Sequence, residues 1–537
     1  MAARTWIAVV LCCLVWFVYA RWFAPPMTPP PASVPAATSS APAADGTAAP
    51  VAGTSVSGFF GTPFRLSSAS NLDTAKLELG FSDVGGKVAT IRVPHYRETV
   101  KTDSPPITLV SPALSEYALG TLFTDPALVD FGKGKYDVKS DAGKVVFDKT
   151  GADGVRVEKR FAAEENSYLF DSEMEITFPA NAKKDWGYLI VPVGARDPKY
   201  DAQHPLHAWE VVTFQGDSVT RKITDKLDPG ERLLQGNTGW LAFGNRYFAT
   251  ALVNKSEINP DVIFYKDPSF TGGYLRYPLA LKEGQKSLKF AWRVYAGPKE
   301  PAELGKVPGL KQLIEYGIFT ALAYPLLETL KFFYRFVHNY GLAIILLTLL
   351  VRAAFYPLSV KSFRSMKAMQ KLQPQITALK EKYGDDKERF SREQLALFKA
   401  HKVNPAGGCL PMFVQLPVFI ALYAVLGNSI ELFHAPFFGW IQDLSSKDPF
   451  YIFPILMGIS MVLQQKLTPM VGMDPMQQKM MMFMPIFFTF LMINLPSGLT
   501  VYMFVSTLVG ILQQYLLSKE RNADAAKVLA AQAPEKG

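Results

Sequence analysis

The residue whose chemistry is hardest to place is an arginine. Arg352 lies in the apolar run Ile344-Ile345-Leu346-Leu347-Thr348-Leu349-Leu350-Val351-Arg352-Ala353-Ala354-Phe355-Tyr356. The next positive charge, Lys361, is nine residues on, roughly 13 Å along a helix. Two readings are open. Either Arg352 stands near a helix end and reaches the headgroups, or it lies inside a span, where a charge is costly unless it meets water or a partner. The second is favoured, because an arginine side chain does not snorkel that far unaided. Four further apolar runs follow, and none of them contains Asp, Glu, His or Lys. Without an opposite charge, Arg352 is best placed against a water-filled recess. Thr348, Gln415, Asn494, Tyr502, Ser506 and Thr507 are spaced to line it, although each taken alone is accounted for by a helix-packing hydrogen bond. A proton- or ion-coupled transporter usually carries ionisable relays or paired half-helices at mid-membrane, and neither is found. A lone cation suits another task. It can draw a polar or acidic stretch of peptide partway into the bilayer while the apolar part of that peptide enters lipid.

The segment 361–405 carries a second group of candidate residues. Met366, Met369, Leu372, Ile376, Leu379 and Tyr383 step by three and four, which predicts a helix with a Met-rich apolar stripe and Pro374 within it. Gly384-Asp385-Asp386 ends that helix. Ser391 and Gln394 read as a capping box for a second one, stopped by Asn404-Pro405. The result is a helical hairpin with Lys361, Arg364 and Lys367 on a basic outer face. The Met stripe is read first as packing within the hairpin and second as an adaptable surface for apolar clients. The basic face suits ribosomal RNA or anionic lipid. In the connector 468–478, Met470, Met473 and Met476 read equally as client contacts or as plain linker.

No constellation for enzymatic catalysis appears, since GxxxxGK[ST], HExxH and GxSxG are all absent. No cofactor is expected. His204 and His207 are only two candidate ligands, with Pro205 between them, and do not make a metal site. Cys12, Cys13 and Cys409 lie in or beside apolar runs, so no disulfide framework is expected.

The elements that must position these residues follow from a split in composition. Mean hydropathy is only +0.10 over 537 residues, yet residues 1–20 and 340–517 hold nearly all the long apolar runs. The net charge of +9 gathers beside those runs, which fits membrane orientation better than nucleic acid. Residues 1–24 read as an N-terminal anchor; cleavage after Val18-Tyr19-Ala20 is the alternative, disfavoured by Arg21. Residues 25–57, rich in Pro, Ala, Ser, Thr and Gly, read as a tether. From 58 to 305 the period is two. Tyr168, Phe170, Met174, Ile176 and Phe178 alternate with polar residues, and Leu288, Phe290, Trp292 and Val294 repeat the pattern. Asp141-Ala142-Gly143, Asp153-Gly154, Asp228-Pro229-Gly230 and Thr271-Gly272-Gly273 read as turns, which predicts a large all-β sandwich. Residues 306–339 read as an amphipathic helix interrupted near Pro325, either interfacial or, less favoured, a cap on the sandwich.

Five spans are predicted in the core 340–518: about Tyr340–Val360, Cys409–Ile430, Phe450–Gln465, Met480–Leu495 and Leu499–Leu517. The third and fourth hold about sixteen residues, roughly 24 Å of helix against roughly 30 Å of hydrocarbon, so local thinning of the bilayer is expected. Lys361, Arg364, Lys367, Lys371, Lys466, Lys479, Lys519 and Arg521 flank one set of ends, and Glu431, Asp443 and Asp448 the other. The basic ends, including the tail 519–537, are therefore cytoplasmic. With the anchor this makes six spans with both termini inside.

Val351-Arg352-Ala353-Ala354-Phe355-Tyr356-Pro357-Leu358, Leu372-Gln373-Pro374, Asn404-Pro405-Ala406-Gly407-Gly408-Cys409-Leu410-Pro411, Asp474-Pro475-Met476-Gln477-Gln478-Lys479 and Pro496-Ser497-Gly498-Leu499 occur in that order over 340–517. In them the chain resembles the YidC/Oxa/Alb superfamily of membrane protein insertases, and its anchor and β-domain resemble the Gram-negative form. The resemblance implies a multi-pass protein of the bacterial inner membrane with a periplasmic β-supersandwich similar to sugar-handling folds. It implies an insertase and chaperone for nascent membrane proteins, acting alone or with the Sec translocon and its accessory subunits. Clients would come from the ribosome and the signal recognition particle, without nucleotide. At matching positions Arg352 would be the arginine of a hydrophilic groove open to the cytoplasm. Thr348, Gln415 and Tyr502 would line that groove, and Phe419 with the last two spans would lie along the client's path. A chaperone or Sec-assembly factor without independent insertion is the alternative.

Overall fold

The computed structural model describes residues 68–111, 119–141, 143–194, 209–234, 236–266, 270–383, 386–404, 410–467 and 475–531. The expected anchor and tether, Cys409, His204, His207, Met470 and Met473 lie outside them.

Alternation assembles the β-domain. Strand Leu169–Thr177 pairs antiparallel with Ser287–Pro298, setting Ile176 opposite Leu288, Met174 opposite Phe290 and Phe170 opposite Val294. All six are buried, so one register fills one face. Leu169, opposite Tyr295, is buried as well, because the sheet is covered on both faces at that end. These two strands sit inside a nine-stranded sheet ordered Ser218–Ile223, Glu210–Gln215, Thr238–Gly244, Phe248–Asn254, Ser287–Pro298, Leu169–Thr177, Arg156–Ala163, Lys144–Thr150 and Asp137–Asp141. A five-stranded sheet that includes Asp185–Val193 and Thr271–Ala280 packs against it, and a four-stranded sheet spans Ser68–Val110.

One predicted turn is a strand. Gly272 and Gly273 pair with Tyr265 and Phe264 inside Thr271–Ala280. A Cβ on Gly272 would stand 2.9 Å from the Phe270 ring and 3.1 Å from the Val193 carbonyl. The two glycines serve close approach of chains, the other use of this residue in sheets.

Lys159 is the exception to an apolar interior. It follows the inward alternation Val157, Lys159, Phe161 and is 2 % exposed. Its ammonium donates to the Gly85 carbonyl at 2.5 Å and to Thr121 Oγ1 at 2.6 Å, and lies 4.9 Å from the centre of the Tyr136 ring. Among the described residues no carboxylate pairs with it. Burial, with Lys87 and Lys149 nearby, lowers its pKa to about 7. A free lysine titrates near 10.4, so between these values the unfolded chain binds the extra proton. The cost of burial is fully present below pH 7 and is relieved as pH rises toward about 10, at about 1.4 kcal/mol per pH unit. The melting temperature of the β-domain, followed by circular dichroism of the full chain, should therefore rise from pH 7 to 9.5. Lys159→Met should flatten that rise, and an unchanged slope would exclude Lys159 as its source.

After the short helix Pro301–Leu304, a 3-10 turn at Leu310–Leu313 buries Leu310 and Leu313 against the β-domain, where Arg221 donates to the carbonyls of Gln312 and Leu313 at 3.0 and 3.2 Å. The amphipathic helix itself, α1, is Thr320–Val337. The interruption falls at Gly317, whose φ of +67° stops a helix, and not at Pro325. Pro325 lies near the start of α1 and costs only the bond to the exposed Ala321. Ile318, Phe332 and Phe336 project outward from this region.

The remaining helices are α2 (Tyr340–Ala354), α3 (Tyr356–Lys371), α4 (Gln373–Tyr383), α5 (Lys387–Ala400), α6 (Leu410–Asn428), α7 (Ile452–Leu467), α8 (Pro475–Met492) and α9 (Ser497–Ala531). Asn339 caps α2, accepting from the Leu342 amide at 3.0 Å and donating to the Phe437 carbonyl at 2.9 Å. The predicted span 340–360 bends by 59° between α2 and α3. Pro357 supplies no amide to the Ala353 carbonyl, and the chain turns there. Ser497–Leu517 within α9 is long and apolar enough to cross a bilayer, and the bent pair α2–α3 would be a second such element if it forms one span. Gln415–Asn428, Ile452–Leu467 and Lys479–Met492 are shorter apolar helices. Helix α8 contains Pro485, which leaves the Met481 carbonyl without its helical donor; Gln465 of α7 supplies one at 2.6 Å.

The hairpin is made of α4 and α5, with Leu372, Ile376 and Phe398 at its core and Met369, Phe390, Leu397 and Val403 around them. Pro374 begins α4 and does not lie within a continuous helix, because the chain breaks at Leu372. The cap of α5 is Asp386, which accepts from the Arg389 amide at 2.9 Å. Ser391 lies inside the helix, so the expected capping box began one turn too late.

Candidate functional site

The site is built where α2, α6, α7 and α9 meet. Arg352 stands in the last turn of α2, where the C-terminal end of the helix dipole favours a cation. Its Nε donates to Ser506 Oγ on α9 at 2.9 Å. One turn earlier on α9, Tyr502 is buried, and its hydroxyl accepts from Gln415 Nε2 of α6 at 2.5 Å. Phe419, one turn after Gln415, is half-buried on the same helix. Arg352, Ser506, Tyr502 and Gln415 thus form one cluster of one cation and neutral polar groups. Among the described residues no carboxylate pairs with Arg352.

Other candidate residues do not join it. Thr348 is buried, and its hydroxyl donates to the Ile344 carbonyl of its own helix at 2.7 Å. Thr507 does the same to Met503 at 2.8 Å. Asn494 is exposed in the connection between α8 and α9. Two residues went unremarked in the sequence. Gly510 is buried on α9 one turn beyond Ser506, and Gln464 of α7 lies against it. The available signal was Gly510 at an interval of four from Ser506, and the polar pair Gln464-Gln465 ending an apolar run.

The basic residues expected on the hairpin stand on α3, which precedes it: Lys361 and Arg364 are exposed there, and Lys367 Nζ lies 5.1 Å from the centre of the Phe363 ring. Met369 packs on the hairpin core and Met366 is half-buried.

A β-rich domain is thus joined to apolar helices that meet at an arginine with no carboxylate partner among the described residues. The family described as 60Kd inner membrane protein matches residues 332–524, and the YidC periplasmic domain matches residues 70–329. The chain is 36% identical over 547 aligned residues to "Membrane protein insertase YidC" of Geotalea daltonii, covering 97% of this chain and 99% of that one. It is 38% identical to the protein of the same name from Syntrophus aciditrophicus, covering 84% of each. A solved structure titled "Active YidC insertase crystal structure with the first transmembrane domain resolved" is 21% identical, with a TM-score of 0.37 over 86% of this chain and 96% of that one. The chain belongs to the YidC family of membrane protein insertases.

Proposed function

We propose that this protein inserts nascent membrane proteins into the bacterial inner membrane through a hydrophilic groove at Arg352, open to the cytoplasm. The observation that carries the reading is a guanidinium held by Ser506 among neutral groups, with no carboxylate partner among the described residues. Such a charge can attract an acidic or polar stretch of client, while the exposed apolar side chains of α7 and α8, among them Ile455, Ile459, Phe483 and Phe487, offer the client's span an apolar surface. The organisation that goes with it has the anchor at 1–24, the tether at 25–57, the periplasmic domain at 58–305, the interfacial helix within 306–339, and five spans in 340–518. Both termini are then cytoplasmic, and short α7 and α8 thin the bilayer beside the groove. The basic stretch of α3 around Lys361, Arg364 and Lys367, which leads into the hairpin, faces ribosomes, the signal recognition particle and anionic lipid, and the Sec translocon is a partner.

The exposed apolar faces also suit a chaperone that holds spans without moving polar segments. Reconstitution of the full chain alone in liposomes separates the two. Insertion predicts that the polar tail of a small single-span client becomes protease-protected; a tail that stays accessible while the client is bound would leave holding as the function.

A further inference from the structure

In the β-domain the buried side chain of Lys159 borders a cavity of about 20 Å³, which Gly86, Thr121, Phe161, Ser172 and Trp292 help to line. One water needs roughly 10–15 Å³ of such space, so the cavity admits a molecule of a few atoms and no sugar or peptide. The groups around the amine leave it without an anion. Its hydrogen bonds go to the Gly85 carbonyl and to Thr121 Oγ1, while the Tyr136 hydroxyl donates to the Phe131 carbonyl at 2.8 Å. Of the nearby carboxylates, Asp83 lies 3.5 Å from Lys135, Asp130 lies 2.5 Å from Lys149, and Glu173, on the cavity lining, lies 3.8 Å from Arg160. Lys87 and Lys149 add their positive charges to the burial that disfavours an ammonium here.

The part of that field due to Lys87 and Lys149 reverses its effect for an anion: what repels an ammonium attracts a negative charge in its place. A lysine amine acquires a negative charge by adding a small, uncharged molecule that fits the cavity. The neutral amine this requires is present near neutral pH, because burial, followed by Lys87 and Lys149, lowers the pKa to about 7. We propose that Lys159 is a carbon dioxide site, at which the amine is converted reversibly to a carbamate. The Nζ lone pair bonds to the carbon of CO2, one C–O bonding pair moves onto oxygen, and the proton shed by nitrogen passes to bicarbonate in the solvent. Nothing is oxidised or reduced. The N–H that remains can still donate to the Gly85 carbonyl, and Thr121 Oγ1 can donate to a carbamate oxygen, which offsets part of the cost of burying the anion. Since the carbamate forms in the folded domain, its formation makes the stability of that domain respond to dissolved CO2.

The test uses the full chain in detergent micelles under carbon-13 CO2 at constant pressure. Triethyloxonium ion ethylates carbamates, and tandem mass spectrometry of the digest then locates the label. At pH 8 the label should lie on the peptide that contains Lys159. It should fall at least about tenfold at pH 6, because the fraction of neutral amine alone changes by about that factor. The labelling needs no variant, so it stands where a substitution unfolds the domain. In a second measurement at pH 8 and constant ionic strength, CO2 should raise the melting temperature of the wild-type β-domain, by about 3 °C for a tenfold excess of carbamate over free amine. Lys159→Met should abolish that shift. Absence of label on Lys159 at pH 8, label confined to the chain's α-amine and exposed lysines, or an equal shift in Lys159→Met overturns the proposal.

Discussion

Arg352→Ala should lower protection of an acidic client tail about thirty-fold while changing a neutral tail less than about threefold. The figure comes from Coulomb's law: a guanidinium and a carboxylate about 8 Å apart at an effective dielectric of about 20 attract by ~2 kcal/mol. Arg352→Lys keeps the charge but loses the planar fork and the bond from Nε to Ser506, so most of the acidic-tail activity should return. Ser506→Ala alone should have a smaller effect than Arg352→Ala, since it removes one hydrogen bond and no charge. Protease protection in proteoliposomes measures all three. Equal losses for the two tails in Arg352→Ala would assign the arginine to helix packing and remove attraction from the mechanism.

Phe433→Ala should uncouple the β-domain from the helices. Phe433 follows α6 and is buried against Tyr96, Tyr247 and Phe248, with ring centres 6.5, 5.0 and 5.5 Å away. Ile107 and Ile430 complete the cluster. Beside it Lys331 of α1 pairs with Glu431 at 2.5 Å, and Asn428 at the end of α6 donates to the Glu315 carbonyl at 2.9 Å. Removing the ring deletes a buried aromatic side chain from this junction, at a cost of about 3–5 kcal/mol. Calorimetry of the full chain should then resolve a separate β-domain transition at lower temperature, with Phe433→Leu intermediate. A thermogram identical to the wild type would show that the junction contributes no stability.

Different parts of the molecule were legible to different degrees. The central strands were readable because Phe170, Met174 and Ile176, and Leu288, Phe290 and Val294, obey a local period that pairing then reinforces. Lys159 was overlooked for the opposite reason. Its position is inward by alternation, but its residue type reads as solvent-facing, and only the Gly85 carbonyl and Thr121, distant in sequence, make it tolerable there. Gly272 and Gly273 carry a composition shared by turns and by crowded strands, and only the neighbouring Val193 and Phe270 decide between them. The hairpin was visible in its three-and-four spacing, while its cap was misplaced because Asp386 competes with Ser391 as a start signal.

At the site the sequence disclosed a charge and the absence of an opposite one within the predicted spans. It could not disclose that the chain bends at Pro357 so soon after Arg352, which puts the arginine in the last turn of a helix. Nor could it tell which hydroxyls turn toward Arg352. Thr348 and Ser506 look alike in sequence, yet one bonds its own backbone and the other the guanidinium.

The bond from Gln465 to the Met481 carbonyl limits how the bundle can open. A proline-bearing helix drawn away alone into hydrocarbon would carry a bare carbonyl with it, at a cost of several kcal/mol. Helices α7 and α8 therefore form one leaf, with Gln465 as its clasp. On the insertase reading proposed above, a client that leaves for lipid is expected to part that leaf from its neighbours and not to pass between its two helices.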